Sequence, residues 1–194
     1  MELAVQRSRQ RSARVVALGW LLVCSGCLVD VRLGAGGAGA LALRYRLDER
    51  VTLGGAADRL AAPSVVVRSA RIDRQGYGTF KLTFADVQAL PTTAMFKNLS
   101  VTRAAGTEPG TTTVVAKYVQ PKPIRLAPEQ LQRFGNEMKV VVRLPGPIVA
   151  SNAATGGGDV ATWVVPLETL LSGSETVFSV TYRDVAPGRT AGPA

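Results

Sequence analysis

The amino-acid sequence predicts an α+β fold, with a largely antiparallel β-sheet and two or three short helices on one face. After residue 27 the chain consists mostly of short runs rich in β-branched residues, and several alternate apolar and polar positions as half-buried strands do. Helical patterns are few and short. A content of 46% hydrophobic and 19% charged residues is typical of a folded domain. The predicted order of elements is strands, one helix, many strands and a later helix. This order favours the α+β class.

The β-branched runs predict nine strands. In chain order we expect them at residues 28–33, 40–47, 64–73, 78–84, 99–104, 111–119, 139–144, 161–165 and 176–182. Residues 73–78 and 152–159 have the composition of hairpin connections, which favours antiparallel neighbours. The glycine-rich stretches 34–39 and 156–159 are predicted to be loops.

Helices are predicted at three places. Residues 48–62 have a helical pattern that Pro63 ends. Residues 127–135 have a stronger one, because Pro128 suits a first helical turn and Gly135 suits a helix end. Residues 84–90 are expected to form a single turn after Asp86.

The N-terminus has the pattern of a secretory signal. A basic segment precedes an apolar run at residues 15–23, and the small residues Ser25 and Gly26 follow just before Cys27. The apolar run is shorter than the roughly 20 residues of a membrane-spanning helix. We therefore expect a signal peptide at 1–26, a domain at 27–183 and a flexible tail at 184–194. The arginines of the basic segment are Arg7, Arg9, Arg11 and Arg14.

Cys24 and Cys27 are the only two cysteines, and four interpretations of their spacing remain open. A redox pair needs a strand followed by a helix N-terminus, and half a metal site lacks a second cysteine pair. An uncut anchor would use both residues as apolar filler. The fourth interpretation is that Ser25-Gly26-Cys27 resembles a bacterial lipobox, with cleavage between Gly26 and Cys27 and a lipid on Cys27. Cys24 then stands where leucine is usual, and a diacylglycerol would anchor the chain stably.

The residue types exclude several kinds of catalysis. Histidine is absent, which removes the usual general base at neutral pH and the commonest metal ligand. The sequence has no Ser/His/Asp set and no nucleophile elbow. A carboxylate pair drawn from Asp73, Asp86, Asp159 and Asp184 is the remaining catalytic candidate. We expect a protein that is not an enzyme, with no cofactor and no metal.

One glycine motif has the spacing of a dinucleotide-binding loop. Gly34, Gly36 and Gly39 match GxGxxG, and Asp58 follows. That function needs a helix after the motif, whereas the sequence continues with the alternating pattern of a strand. We therefore expect a hairpin loop.

Basic and aromatic residues allow further predictions. Arg68, Arg71 and Arg74 recur every third residue, and on a regular strand Arg71 would face away from the other two. They form either an ordinary solvated face or a patch for anionic headgroups. Nucleic acid is not an expected partner, because aromatic residues are not interleaved with the basic ones. The aromatic residues Phe84, Trp163 and Phe178 are expected in the core.

The segment from Leu144 to Leu170 resembles the end of the bacterial LppM-type lipoprotein domain. In that family a strand ending in Pro-Gly leads through a Ser-Asn turn and a glycine-rich hairpin to a strand with tryptophan. The segment 74–84 and the Ser-Gly-Cys start look similar too, whereas Gly158-Asp159 replaces the usual Gly-Asn. The matching residues are Pro145, Gly146, Ser151, Asn152, Gly158, Val160 and Trp163.

This resemblance implies an extracytoplasmic domain with a small hydrophobic cavity, in a family with at least one member associated with cell-envelope lipids. We expect a membrane-anchored bacterial lipoprotein that binds an envelope lipid or other amphiphile without catalysing a reaction. The alternative is a structural or assembly lipoprotein that binds another envelope protein. Leu28, rather than aspartate, follows Cys27, which favours the outer membrane on its periplasmic side.

Overall fold

The computed structural model describes residues 26–184. The predicted signal segment up to Ser25, including Cys24, and the tail from Val185 onward lie outside the described residues. The α+β class is confirmed: eleven strands and a few short helices make up the described part of the chain. The strands are β1 (Cys27–Leu33), β2 (Gly39–Arg46), β3 (Val65–Ile72), β4 (Tyr77–Phe84), β5 (Leu99–Ala105), β6 (Thr111–Val119), β7 (Glu137–Arg143), β8 (Ile148–Ser151), β9 (Thr155–Gly157), β10 (Val160–Pro166) and β11 (Glu175–Arg183).

The strands form two sheets. The larger has seven strands in the order β3-β4-β2-β1-β7-β10-β9, and the smaller has four in the order β5-β6-β11-β8. All neighbours are antiparallel except β1 and β7, which run parallel with Cys27 opposite Met138. The second sheet, rather than helices alone, therefore covers one face of the first.

The core lies between the two sheets and follows from the alternation within each strand. In β4, Phe80, Leu82 and Phe84 are buried, whereas Lys81 between them is exposed. In β11, Val180 and Tyr182 are buried on the side that meets the larger sheet. Because successive side chains of a strand point to opposite faces, these strands contribute every second residue to the core, whereas all three residues of β9 are exposed.

Three helices connect these strands. The helix α1 (Leu53–Asp58) begins at Thr52, whose hydroxyl accepts a hydrogen bond from the Gly55 backbone N–H at 3.1 Å. The helix α2 (Pro128–Phe134) has proline in its first turn and ends at Gly135, as predicted. The helix α3 (Leu167–Leu171) joins β10 to β11 and contacts both, so it links the two sheets at one end.

The first helix is shorter than residues 48–62, but it lies where the prediction placed it. The expected single turn is a 3-10 turn at Val87–Thr92, which Asp86 caps through the Gln88 N–H. Nine predicted strands are present with ends shifted by at most two residues. The sequence did not predict β8, β9 or α3.

Two predictions about loops and faces need correction. Residues 156–159 are not entirely a loop, because Gly156 and Gly157 belong to β9 and pair with β10 through the backbone. The prediction that Arg71 faces away from Arg68 is wrong, because a β-bulge between Val67 and Ser69 inserts one extra residue into β3. Arg68 and Arg71 consequently lie on the same face, and Arg74 lies in the turn that follows.

None of the helices within residues 26–184 has the length and apolar character needed to cross a membrane.

Candidate ligand-binding cavity

A cavity of about 310 Å³ lies between the two sheets. Its walls come from alternate residues of both sheets, because those residues point into the space between them. The larger sheet contributes residues of β1, β2, β7 and β10, and the smaller sheet contributes residues of β5, β6 and β11. Every lining residue is apolar except for the hydroxyl of Tyr118 and the indole nitrogen of Trp163, and none is charged.

Three connecting segments close the space between the sheets. The 3-10 turn contributes Val87 and Leu90, which are both buried. The segment after it contributes Met95 and Phe96, and α3 contributes three leucines. Met95 is held in place by its backbone N–H, which donates to the Arg59 carbonyl at 2.8 Å.

The cavity is more accessible at the end where β1 and β7 begin. There Val29 and Met138 are half-buried, and so are Tyr118 and Leu167, which lie near α3. Further into the cavity most lining residues of β1, β7, β10 and β11 are buried, although Val142 is half-buried. The buried ones are Val31, Leu33, Val140, Trp163 and Val180. We infer that this cavity has an apolar closed end and a more open end near Tyr118.

A small polar group marks the more open end. The Tyr118 hydroxyl donates to Gln120 Oε1 at 2.9 Å, and Asn98 Nδ2 donates to the same oxygen at 3.5 Å. Burial raises the pKa of the Tyr118 phenol, and a hydrogen bond with Asn98 opposes that shift. The hydroxyl of Thr176, opposite Tyr118 in the register, is buried without a hydrogen-bond partner among the described residues. Polar ligand groups therefore find both neutral donors and acceptors at this end.

An aromatic pair and an asparagine position one wall of the cavity. The rings of Trp163 and Phe178 meet edge to face with centroids 5.7 Å apart, so the pair joins β10 to β11 across the core. Trp163 Nε1 donates to Asn152 Oδ1 at 2.9 Å, and the Ser179 N–H donates to the same oxygen at 2.8 Å. Asn152 Nδ2 in turn donates to the Val177 carbonyl. Asn152 therefore fixes the orientation of the indole ring against β11.

The three aromatic residues predicted in the core are indeed buried. Phe84 belongs to the hydrophobic core, while Trp163 and Phe178 are core residues that also line the cavity. Asn152 and Trp163, two residues of the LppM-like motif, are bonded to each other, so that motif has a structural role in the wall of the cavity.

Cys27, the predicted lipid-attachment residue, is the first residue of β1 and is half-buried. Burial raises the pKa of its thiol, which disfavours the thiolate that redox or metal chemistry requires. Among the described residues, no group of three or more metal-binding side chains lies together. Cys27 sits next to Leu28 and two residues before Val29, which lines the more open end of the cavity.

Gly26, on the other side of the predicted cleavage point, lies close to β7. A Cβ atom at this position would collide with the backbone carbonyl of Glu137. In an uncut chain this close approach would by itself favour glycine, so Gly26 fits both the lipobox and the packing.

The other candidates from the sequence do not form a site. Asp73 bonds Arg44, Asp86 caps the 3-10 turn, and Asp184 accepts from the Thr112 hydroxyl, so these carboxylates are engaged in separate places. Asp159 lies in the turn between β9 and β10.

The glycine motif opens a strand rather than a helix, which excludes the dinucleotide interpretation. Residues 34–38 form the short connection between β1 and β2, and Gly39 already belongs to β2. The expected hairpin loop is thereby confirmed.

The sequence matches no protein-family model and no curated protein. A solved structure with a similar fold is the NMR structure of the folded domain of the Mycobacterium tuberculosis LppM protein. The TM-score is 0.51 at 13% sequence identity, and the match covers 83% of this chain and 90% of that one. The two domains share a fold, which confirms the LppM-like resemblance at the level of architecture.

The sequence predicts which residues of each strand face inward, but it does not predict which of those residues line a cavity. Alternation identifies Val29, Val31 and Leu33 as inward-facing, but it does not distinguish packed core from open space. That distinction depends on the separation of the two sheets and on the segments that cover their edges.

Proposed function

We propose that this protein is a membrane-anchored bacterial lipoprotein whose inter-sheet cavity binds the apolar part of an envelope lipid or similar amphiphile without catalysis. The observation that carries the proposal is the cavity of about 310 Å³ with an uncharged, almost wholly apolar lining. Native cores are normally packed with few voids larger than a water molecule. A space of this size between two sheets is therefore a feature that needs an occupant.

The size and chemistry of the cavity suggest the class of ligand. An apolar cavity of about 150 Å³ stays dry and takes one aromatic ring, so this cavity has room for about twice that volume. Each methylene transferred from water contributes about 0.8 kcal/mol. The expected ligand places a short acyl segment or a ring system against Trp163 and Phe178, and its polar group near Tyr118.

The LppM-like fold supports a location in the cell envelope. The predicted lipobox before Cys27 adds a means of attachment, and Leu28 favours the outer membrane. The large exposed apolar side chains among the described residues lie on β3, β6, β8, β10 and the segment between β6 and α2. They are Val66, Ile72, Val119, Ile124, Val149 and Val164. That scatter gives no specific support to the alternative of an assembly lipoprotein with an apolar docking face.

The anchor is tested by fractionation of cells that express the full chain. We expect Cys27→Ser to abolish acylation and to release the protein from the membrane fraction, because the thiol is the attachment point. Cys24→Ser is the matched control and should leave processing and retention unchanged. If Cys27→Ser is processed and retained as the parent is, the lipoprotein assignment is wrong.

Ligand binding is tested with cis-parinaric acid, a fluorescent fatty acid, added to the Cys27→Ser chain. We expect saturable binding that Ala116→Phe weakens by tenfold or more. Ala116 lines the cavity. If the phenyl ring occupies the space of two ligand methylenes, the ligand loses about 1.6 kcal/mol of binding free energy. The same substitution should keep or raise the melting temperature, because a phenyl ring fills an internal void.

The matched control is Ala104→Phe, in the same sheet but on an exposed position of β5. It should bind the fatty acid as the parent does. If the parent shows no saturable binding, or if both variants lose it equally, the cavity is not the ligand site. Stoichiometric recovery of one envelope protein together with absent fatty-acid binding would instead support the assembly function.

A further inference from the structure

The outer face of the seven-stranded sheet carries rows of basic side chains that run across neighbouring strands. The pairing places Arg71, Arg44 and Lys139 in one row, with Thr79 and Leu28 between them. These residues point away from the cavity, because their neighbours Val140, Leu43 and Ala70 are on the inner side. We call this surface the basic face, and its other rows follow the same register.

A second and a third row extend the basic face. Lys81 lies in the middle row, opposite Ala42. The third row contains Arg68, Arg32 and Arg143. Arg68 Nε donates to Thr83 Oγ1 at 3.0 Å, and Arg32 lies opposite Arg143 in the register of β1 and β7. The bulge in β3 brings Arg68 onto this face.

Arg46 completes the basic face beside Arg44. The two guanidinium groups lie over the buried ring of Tyr77, at 4.1 Å for Arg44 and 6.0 Å for Arg46. The aromatic ring of this face is therefore covered by cations and is not presented to solvent for stacking against a nucleic-acid base.

The net positive charge of the domain is concentrated on the basic face. Residues 26–184 contain 18 lysines and arginines and 13 aspartates and glutamates. Eight of these basic residues belong to the face, together with three acidic ones: Asp30, Asp73 and Glu137. The remainder of the described domain thus holds ten basic and ten acidic residues, and its net charge is zero.

Most of the basic face is exposed to solvent within the described residues. Arg32, Arg68, Arg71, Lys81 and Lys139 are exposed. Asp30 pairs with Arg143 at 3.5 Å and Asp73 pairs with Arg44 at 3.1 Å, so the acidic groups neutralise only part of the charge. The basic residues lie on five neighbouring strands, and with strands about 4.8 Å apart they span a surface roughly 19 Å wide.

We propose that the basic face docks this domain on an anionic lipid surface. The basic side chains complement an anionic lipid surface, and each of them near such a surface strengthens binding about fivefold. The location of Cys27 also favours a lipid surface. Cys27 is the first residue of β1, and Leu28 lies in the row of Arg44, Arg71 and Lys139, so the proposed anchor has no spacer between it and the face. The choice of a membrane over other polyanions rests on that proposed anchor.

The test uses the full chain with Cys27→Ser, so that an acyl group does not mask weaker binding. The basic N-terminal segment is common to every variant, so the role of the face is taken from differences between variants. Co-sedimentation is measured with vesicles of phosphatidylcholine, and with vesicles in which about a third of the lipid is phosphatidylglycerol. We expect binding to the anionic vesicles only, weakening as salt increases. Charge reversal of the face by R71E, K81E and K139E together should weaken it by roughly tenfold or more.

The matched control reverses three exposed basic residues outside the face, by K97E, K122E and R125E, and so changes the net charge equally. It should weaken vesicle binding by less than about threefold. Equal losses in the two variants would show that net charge rather than this face drives binding, and would overturn the proposal. Binding to neutral vesicles that matches binding to anionic ones would also overturn it.

A milder variant and a competing polyanion complete the experiment. If the glutamate variant does not unfold cooperatively, R71Q, K81Q and K139Q together replace it and should still weaken binding more than the control does. A DNA duplex is the competing polyanion, and equally tight, face-dependent binding to it would overturn a lipid surface as the occupant. Ala116→Phe should bind vesicles as the parent does, so failure of the cavity proposal leaves this test unaffected.

Discussion

The outer faces of the two sheets differ in chemistry although both sheets share the same core. The seven-stranded sheet presents the basic face, whereas the four-stranded sheet presents mainly hydroxyl and aliphatic side chains. On the smaller sheet Thr113 and Thr181 bond each other at 2.9 Å, and Lys117 pairs with Glu175 at 3.4 Å. An amphipathic sheet needs only a polar outer face to be soluble, so the surplus charge on one of them is not required by the fold.

The inner and outer faces of the larger sheet give a second contrast. In β7 Val140 is buried against the cavity, while Lys139 next to it is exposed on the basic face. The same alternation thus supplies an apolar chamber on one side and a cationic surface on the other. Two functions can be assigned to one sheet because neighbouring residues do not share a face.

The largest expected effect comes from the inner side of β10. Trp163→Ala should lower the free energy of unfolding by about 3–5 kcal/mol, because it removes a buried ring packed on Phe178 and leaves a larger cavity. Chemical denaturation followed by circular dichroism measures the change. The loss should appear as a lower denaturation midpoint with little change in slope.

The control for this prediction is the next residue on the same strand. Val164 is 45% exposed and points to the outer face, so Val164→Ala should cost less than about 1 kcal/mol. Equal losses at the two positions would mean that the outer face is also packed against protein, which would contradict the contrast between the two faces.

Nine of the eleven described strands were predictable from the sequence, because most are runs rich in β-branched residues and several alternate apolar and polar positions. The 3-10 turn was predictable as well, since Asp86 precedes it as a cap. Pairing order was not: the parallel contact of β1 with β7 joins residues more than a hundred positions apart, and nothing local encodes it. The division into two sheets, and hence the cavity between them, also depends on such long-range pairing and was not predictable.

The missed elements have local explanations. In β9 the residues Gly156 and Gly157 have low strand propensity and are held by pairing with β10. Five-residue α3 is too short for a helical period to show. The extra residue at Arg68 in β3 shifts the register without any glycine to signal it, so the faces of Arg68 and Arg71 were not predictable.

The smallest expected effect concerns Asp73, the acidic group that neutralises Arg44 on the basic face. Its pKa lies below the ordinary value, chiefly because the Tyr77 N–H donates to Oδ1 at 3.0 Å, and also because Arg44 and the Gln75 N–H bond the carboxylate. A carboxyl group with a lower pKa in the folded state stabilises the fold above its unfolded pKa of about 3.9, and that contribution is lost as the pH falls through the folded value. Asp73→Asn should therefore lower the melting temperature slightly at neutral pH, and the difference from the parent should vanish in strong acid. A difference that stays constant across this pH range would contradict the assignment.

The variant also gives the basic face one more net positive charge, so binding to anionic vesicles should tighten by a few-fold at neutral pH, in the direction opposite to the charge reversals.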